Sequence, residues 1–569
     1  VQFAQKSQGG VAATFDQGGI VERLRAAVWS QPGVNAIAGF GDVASDSRGL
    51  AAAALLYPLR LQPGESRSID WSSLLYGEPT QPEPPPIDAT QLQAQVAASW
   101  RDKLDRVRIR VPAQGQRVVD TLRTSLAHML ISRIGPRLQP GTRSYARAWI
   151  RDGAMINEGL LRMGRADVAE DFLRWYAPYQ FASGKVPCCV DDRGSDPVPE
   201  NDSNGELIFA IAEQYRYTGD RALLEAMWPH VVGATNYMDT LRLSERTEAN
   251  RAKNPAFYGL MPASISHEGY SAKPMHSYWD DFWALRGYKD AVDIAKWLGH
   301  DEDARRFAAS RDQFSADLYD SIEIATRQEG IDFIPGSVEL GDFDATSTTI
   351  AIAPGGERAN LPQGLLHNTF ERYWKEFVQR RDGKREWKDY TPYELRTVGT
   401  FVRLGWRARA HEALDFFFKD RQPPAWNQWA EVVTSSPRTP FFVGDLPHAW
   451  VESDYVRSAL DIFAYSRDSD DALVIAAGIP ADWLQGEGVS VRDLRTPEGL
   501  LAYTLQADGD VLRFDAPAGL KLPKGGLVLS LPAPWATGKA SGTGLAMPLH
   551  DGELRITRLP AHVEVHASR

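Results

Sequence analysis

Between about residues 91 and 467, apolar positions recur every three or four residues, the spacing that gathers them on one face of an α-helix. The pattern predicts helices near 91–107, 115–134, 151–163, 166–181, 203–218, 221–243, 277–298, 301–320, 366–382, 392–404, 407–420 and 447–466. On either side the period falls to two. Residues 1–80 mix short apolar stretches with glycine-rich turns and end in alternating positions around Pro63-Gly64, so they are expected to be strands, part of a β-sandwich. Pro79, Pro82, Pro84, Pro85 and Pro86 make a stiff stretch that no helix tolerates, and 81–114 is read as a linker carrying one helix. Residues 468–569 return to alternation, in Ala472–Ala477, Gly488–Leu494, Leu500–Gln506, Val511–Ala516, Gly526–Leu531 and His562–Ala567, and predict a small antiparallel sandwich.

Four short connections inside 115–467 share a signature. Gly164, Gly219, Gly299 and Gly405 each stand where one helix pattern stops, with a polar, alanine-bearing start of the next just beyond. The unit is an antiparallel helical hairpin, and its repetition allows either an open stack or a closed ring. The long connections favour the ring, because aromatic and polar residues collect in them, at 141–153, 186–206, 259–281, 331–348, 385–394 and 423–448. In a closed double ring these loops emerge on one face and form a polar, aromatic funnel. The expected fold is therefore mainly α, an (α/α)6 toroid over 115–467 flanked by β-sandwich-like domains at both ends.

Composition narrows the function. A chain of 569 residues exceeds one ordinary core. Its 63 basic and 74 acidic residues are spread along it, so neither nucleic acid nor an anionic membrane is an expected partner. No apolar run approaches the roughly 20 residues that span a bilayer. Cys188 and Cys189 are adjacent and cannot staple distant segments, and no further ligands stand at metal-site spacing, so neither metal nor cofactor is expected. The chain opens on Val1, and its first segment reads as the end of a domain, so a fragment of a longer protein is expected.

The candidate chemistry sits in the loops. Trp149, Arg151 and Asp152 fall in one turn; an Arg and an Asp side by side grip vicinal hydroxyls of a sugar while a tryptophan covers its carbon-rich face. Asp202 opens a helix and reads either as an N-cap or as a sugar ligand. In Tyr278-Trp279-Asp280-Asp281-Phe282-Trp283, two carboxylates lie among aromatic rings, surroundings that keep an acid protonated near neutral pH; as first-turn acids they would also suit the helix dipole. A second carboxylate, Glu431, follows Trp429 in a similar setting, with Glu394 as its rival. His448 and Trp450 stand at the next helix start, where a lone histidine is more often structural. One carboxylic acid and one carboxylate on opposite faces of a sugar ring are what glycoside hydrolysis requires; if Glu431 activates water, the pair stands roughly 6.5–9.5 Å apart and the anomeric configuration inverts.

The order of these motifs resembles the inverting (α/α)6-barrel glycosidases, the group of glucoamylases, trehalases and processing α-glucosidases. The resemblance covers about 115–467 and rests on Trp149-Ile-Arg-Asp-Gly, Tyr278-Trp-Asp-Asp, Trp429-Ala-Glu431 and Pro447-His-Ala-Trp. It implies that Arg151 and Asp152 hold the terminal sugar, that Asp280 rather than Asp281 is the general acid, and that Glu431 is the base. The substrate it implies is an oligosaccharide or glycoside, cleaved in a pocket at a terminal, α-linked gluco-configured sugar, with an α-L-rhamnosidase-like specificity as the alternative. Tyr278, Trp279, Asp281, Trp283, Trp429, Trp450, Asp202, Glu394 and His448 are expected to line that pocket. An aspartate acid departs from the glucoamylase pattern and matches trehalases. A phosphorylase would lack a carboxylate at 431, and a noncatalytic glycan-binding protein would keep the funnel without turnover. A secreted or periplasmic location suits such a substrate.

Overall fold

The computed structural model describes residues 2–3, 10–14, 44–45, 47, 51–55, 57, 59–72 and 88–568, apart from 267–269, 271, 437, 439–441 and 547. The chain divides into two units, Val1–Arg101 and Asp102–Arg569. In the first, the strands are β1 (Gln2–Phe3), β2 (Gly10–Thr14), β3 (Ala51–Leu55) and β4 (Trp71–Ser72); β1 pairs with β4 and β2 with β3, both antiparallel. These pairs are the described part of the strands expected over 1–80. The proline-rich stretch up to 87 lies outside the described residues, and helix α1 (Ala89–Leu104) follows it.

The second unit opens with strand β5 (Arg108–Arg110) and continues as alternating outer and inner helices. In order these are α2 (Gln116–Ser132), α3 (Ile150–Arg162), α4 (Ala166–Tyr176), α5 (Ser203–Thr218), α6 (Arg221–Glu245), the short α7 (Glu248–Lys253), α8 (Tyr278–Leu298), α9 (Asp301–Glu329), α10 (Ala345–Ile352), α11 (Gln363–Arg381), α12 (Arg396–Arg403), α13 (Arg407–Phe417) and α14 (Ala449–Asp461). Helices α3, α5, α8, α10, α12 and α14 each pack on the next, and α14 packs back on α3, which closes the ring. Every residue of α3 and α14 is buried, as for helices covered on all sides; α11 and α13 bury one stripe only. The hairpin turns form where the sequence places them: Gly164, Gly219, Gly299 and Gly405 all have left-handed φ, +80°, +66°, +82° and +80°, which glycine adopts without a Cβ penalty.

One inner helix escapes the sequence pattern. Ala345-Thr-Ser-Thr-Thr-Ile-Ala-Ile352 is rich in β-branched residues, which lose rotamer freedom in a helix, yet it forms α10 because Asp344 caps it, accepting from Thr346 N (2.9 Å) and Ser347 N (3.1 Å), and because the ring buries seven of its residues. Other departures are at ends. The helix expected to reach 466 stops at Asp461, and α9 extends to Glu329 rather than 320.

Glycine also sets the closest helix crossing. A Cβ on Gly205 of α5 would stand 2.6 Å from the carbonyl carbon of Trp283 in α8, and one on Gly287 would stand 2.6 Å from the Cα of Gly205. Since both obstacles are backbone, Gly205→Ala is expected to cost at least about 1–3 kcal/mol through forced separation of α5 and α8, measured as a fall in melting temperature. Gly364→Ala, with nothing within 4 Å, is the matched control.

Short strands hold the loops: β6 (Ala148–Trp149), β7 (Cys189–Asp191), β8 (Gly194–Ser195), β9 (Asp389–Tyr390) and β10 (Val433–Thr434). After α14 come β11 (Ala464–Arg467), β12 (Ala472–Ile475), β13 (Val489–Thr496), β14 (Gly499–Asp508), β15 (Val511–Ala516), β16 (Leu527–Ser530), β17 (Lys539–Gly542), β18 (Glu553–Ile556) and β19 (Ala561–His566). They make a four-stranded sheet, β11-β12-β16-β18, and a six-stranded one, β17-β19-β15-β14-β13-β5. The all-antiparallel expectation fails at one place, the parallel pair β12–β16. Alternation is regular along β19, whose Ala561, Val563 and Val565 are buried and whose His562, Glu564 and His566 are exposed.

Candidate active site

All six inner helices begin where a long loop ends, and neighbouring loops are bonded to one another. Strand β6 pairs with β7, so Trp149 faces Cys189. Asn201 donates through Nδ2 to the Pro262 carbonyl (2.8 Å) and through its N–H to Ser266 Oγ (2.8 Å). Ser277 bridges to Ser337, and β10 pairs with β9. Asp445, 1% exposed, accepts the backbone N–H groups of Arg143, Ser144 and Tyr145 at 3.0–3.1 Å, tying the loop before α14 to the loop before α3. These bonds join five of the six neighbouring pairs among the long loops singled out in the sequence.

Three rings lie together as one aromatic floor: Tyr393 and Trp450 with centroids 4.3 Å apart, and Trp279 at 6.4 Å from Trp450. The Arg396 guanidinium sits 5.1–5.5 Å from all three centroids, a cation–π arrangement, and is held by its Nε donating to Tyr393 O (3.1 Å) and by Asp454 (3.4 Å). The indole N–H of Trp279 donates to Asp202 Oδ2 (2.9 Å), which also accepts Arg151 Nε (2.8 Å). Asp202 makes no capping bond to its own helix; its carboxylate is turned into the site. Arg151 Nη2 also donates to Glu200.

Both candidate reacting groups adjoin this aromatic group, Asp280 next in sequence to Trp279 and Glu431 through its bond to Tyr393. Asp280 is 0% exposed, and its Oδ2 accepts from Ser264 Oγ (2.5 Å). Burial first, and the Asp202 charge second, raise its carboxyl well above the ordinary range, against the Ser264 and Ser266 hydroxyls. Glu431 is 6% exposed and accepts from the Tyr393 hydroxyl (3.1 Å). Glu206, one helical turn beyond Asp202, is likewise raised well above the ordinary range by burial and by the Asp202 charge.

Several aromatic and acidic candidates belong elsewhere. Tyr278 is fully buried with its hydroxyl on Ser321 Oγ (2.9 Å), and Trp283 is fully buried against Phe209, 5.6 Å between centroids. Trp429 is fully buried too, its Nε1 donating to Phe417 O (2.8 Å). These three are core, not pocket walls. Glu394 is occupied by both Arg380 Nη groups (2.8 and 2.6 Å) and Tyr373 OH (2.5 Å), so its reading as a base or sugar ligand gives way to a structural one. His448 is buried, and its Nδ1 accepts from Val451 N (3.4 Å) as a helix cap; burial lowers it to about 3, so it stays neutral. Asp281 accepts Met261 N (2.9 Å), and burial pushes it to about 7 against that bond and the His276 charge. Trp149 remains half-buried at the rim, edge-on to Tyr145 at 5.8 Å, and Asp152 is buried in the first turn of α3.

The sequence did not single out Glu200, Tyr393 or Arg396. Burial raises Glu200 to about 7, with Arg151 opposing and Asp202 reinforcing, which gives the site a second carboxyl that titrates near neutrality.

His276 braces the start of α8. Its ring stacks on Phe257 (4.2 Å), its N–H donates to Glu339 Oε2 (2.9 Å), and its Nδ1 and Nε2 face Glu339 (2.6 Å) and Glu245 (3.5 Å). Burial opposes its charge, yet the two carboxylates raise it to about 9. A pKa raised above the unfolded value of about 6.5 stabilises fully below that value and is lost as pH rises through about 9. The margin is on the order of 3 kcal/mol. The melting-temperature gap between the protein and His276→Gln is therefore expected to be wide near pH 6 and to close above about pH 9.

A family model described as the bacterial alpha-L-rhamnosidase 6 hairpin glycosidase domain matches residues 148–323, a stretch that includes Arg151, Asp202 and Asp280. Residues 148–323 are thus similar to a six-hairpin glycosidase domain. An uncharacterized glycosyl hydrolase of Methanocaldococcus jannaschii is 28% identical over 111 residues, 19% of this chain and 18% of that protein. Among solved structures, the alpha-L-rhamnosidase of Dictyoglumus thermophilum superposes with a TM-score of 0.56 at 10% identity, over 81% of this chain and 50% of that one. The Streptomyces avermitilis alpha-L-rhamnosidase, solved with L-rhamnose, gives 0.52 at 14% identity, over 81% and 42%. At these identities the likeness is one of fold. The chain spans about half the length of the Dictyoglumus enzyme.

Proposed function

We propose that this six-hairpin protein is an inverting glycoside hydrolase that removes a terminal sugar from an oligosaccharide or glycoside. The observations that support the reading are the contacts that link the candidate residues: Trp279, next in sequence to the buried Asp280, donates to Asp202, which also accepts Arg151, and the rings run from Trp279 through Trp450 to Tyr393, whose hydroxyl donates to Glu431. Asp280, held neutral, protonates the glycosidic oxygen. Glu431, oriented by Tyr393, takes the proton of a water that attacks the anomeric carbon from the other face. The bond from that carbon to the leaving oxygen breaks as the bond to water forms, so the product sugar carries the inverted configuration. Arg151 and Asp202 grip ring hydroxyls, and the aromatic floor covers the sugar's carbon-rich face.

A second assignment of the acid is favoured by one observation. Glu200, at about 7 and bonded to Arg151, is more open than Asp280, with 13% of its side chain exposed. Two sugars are in contention: an α-linked gluco-configured residue, on the motif pattern, and α-L-rhamnose, which the matching family model names. Proton NMR of the protein with a panel of α-glucosides and α-L-rhamnosides tests both points. First appearance of the inverted anomer, from one of these sugars, is the expected result; a retained anomer would make the second carboxylate a nucleophile and overturn the mechanism. Absence of turnover with and without phosphate would favour the glycan-binding alternative.

A further inference from the structure

Cys188 and Cys189 take no part in the chemistry above, yet the fold gives them a third companion. Strand β7 begins at Cys189, and the hairpin register pairs Val190 with Ser195 and Asp191 with Gly194. Asp196 N–H continues the ladder by donating to Cys189 O (3.0 Å), which sets Asp196 across from Cys189, seven residues away. A linear scan for ligand spacing does not reveal a partner that a hairpin supplies. Cys188 immediately precedes the strand. Both sulfurs and a carboxylate oxygen of Asp196 lie within 4.8 Å of one another, and the cysteines are 2% and 1% exposed.

The geometry points to a binding site for a single thiophilic divalent cation, Zn2+ or Cd2+, held by Cys188 Sγ, Cys189 Sγ and the Asp196 carboxylate. Size permits it: at a tetrahedral angle two zinc–sulfur bonds of about 2.3 Å set the sulfurs about 3.8 Å apart, a spacing within the 4.8 Å that bounds the cluster. Ligand type selects the metal, since two soft sulfurs disfavour Mg2+ and Ca2+. On binding, each thiol releases its proton to solvent, and Arg147, whose Nη2 donates to Asp196 Oδ2 (2.6 Å) and whose Nε also faces Asp191 (3.1 Å), offsets part of the negative charge around the ion. Arg147 is thus the outer partner that orients the carboxylate, while the second oxygen accepts Val198 N (3.1 Å). The site also reaches the sugar-gripping loop, because Cys189 pairs with Trp149 and Ile150 N–H donates to Cys188 O (2.9 Å). A bound ion would pin the strand next to Arg151.

The test uses the reduced full chain and Cd2+ alone. One equivalent is expected to produce thiolate-to-cadmium absorption in the ultraviolet, to protect both cysteines from alkylation as read by peptide mass, and to raise the melting temperature; a chelator should restore alkylation in the same sample. Cys188→Ser and Cys189→Ser should each lose the absorption, and Asp196→Asn should weaken binding by about 10-fold or more. Alkylation that proceeds equally with and without Cd2+ in the native chain, an internal disulfide between the two cysteines before any metal is added, or Cd2+ binding that survives both serine variants would each overturn the assignment.

Discussion

Glu431→Gln is expected to lower kcat/KM at least about 100-fold on every substrate the protein turns over, whereas Asp280→Asn should do so selectively. The difference follows from where each proton goes. Glu431 acts on the attacking water, which is the same for all leaving groups, so its loss is felt uniformly. The acid acts on the departing oxygen, which needs a proton when it leaves as a sugar hydroxyl and far less when it leaves as an acidic phenol. Asp280→Asn should therefore cost most with disaccharides and least with activated aryl glycosides. Glu200→Gln runs in the same assay: if it carries the leaving-group dependence and Asp280→Asn does not, the second assignment of the acid is right. In the expected case the Asp280 variant also loses the fall of activity at high pH, because the group that must stay protonated is gone; burial and the Asp202 charge place that limb well above ordinary carboxylate pH. Uniform losses in all three variants, with unchanged melting temperatures, would separate none of the roles and would sink the acid assignment altogether.

How far the sequence can be read depends on what kind of signal each residue leaves. Hairpin ends were legible because a helix that reverses over a short turn needs a left-handed residue, and Gly164, Gly219, Gly299 and Gly405 all supply it. The loops that carry the candidate residues were legible as gaps in the helical period, and Trp279, Trp450, Arg151 and Asp202 are in contact with one another. Aromatic density was a poorer guide. Trp279 and Trp283 are one helical turn apart, yet Trp279 faces the floor while Trp283 lies in the contact with Phe209, and nothing in composition separates the two fates. In Tyr393-Glu394-Leu-Arg396 the carboxylate drew attention, whereas the fold sends Glu394 to Arg380 on the outer helix and turns Tyr393 to Glu431 and Arg396 to the floor. Neighbours on a tight helical turn point in different directions, and only the packing decides which one meets the site. Helix α10 was missed for the opposite reason, since its local preference disagrees with the burial that fixes it.

Gly444→Ala should disable the site without touching a reacting group. Gly444 has φ +67°, and a Cβ there would fall on Glu431 Oε2 and stand 2.7 Å from the Glu431 Cβ and 3.0 Å from its Cδ. The far end of a glutamate moves easily, but its Cβ moves only with the backbone, and Glu431 is already fixed by the Tyr393 hydroxyl at 3.1 Å and by Val432 N–H donating to Val443 O at 3.3 Å. The carboxylate must therefore swing away from the position in which it meets water. A displacement of about 1 Å in a catalytic group costs on the order of 100-fold, so kcat is expected to fall by about that much while KM changes little, since Arg151, Asp202 and the floor are untouched. Backbone strain could also explain a weaker enzyme, because an alanine in the left-handed region costs about 1–2 kcal/mol. Gly219→Ala removes that ambiguity: Gly219 has φ +66° and nothing within 4 Å of its would-be Cβ, so it bears the same strain with no neighbour to displace. Both variants should melt lower by similar amounts, and only the one at 444 should lose turnover. Equal activity in the two would mean that Glu431 tolerates the shift, and with it that its position, and so its role as the base, has been misread.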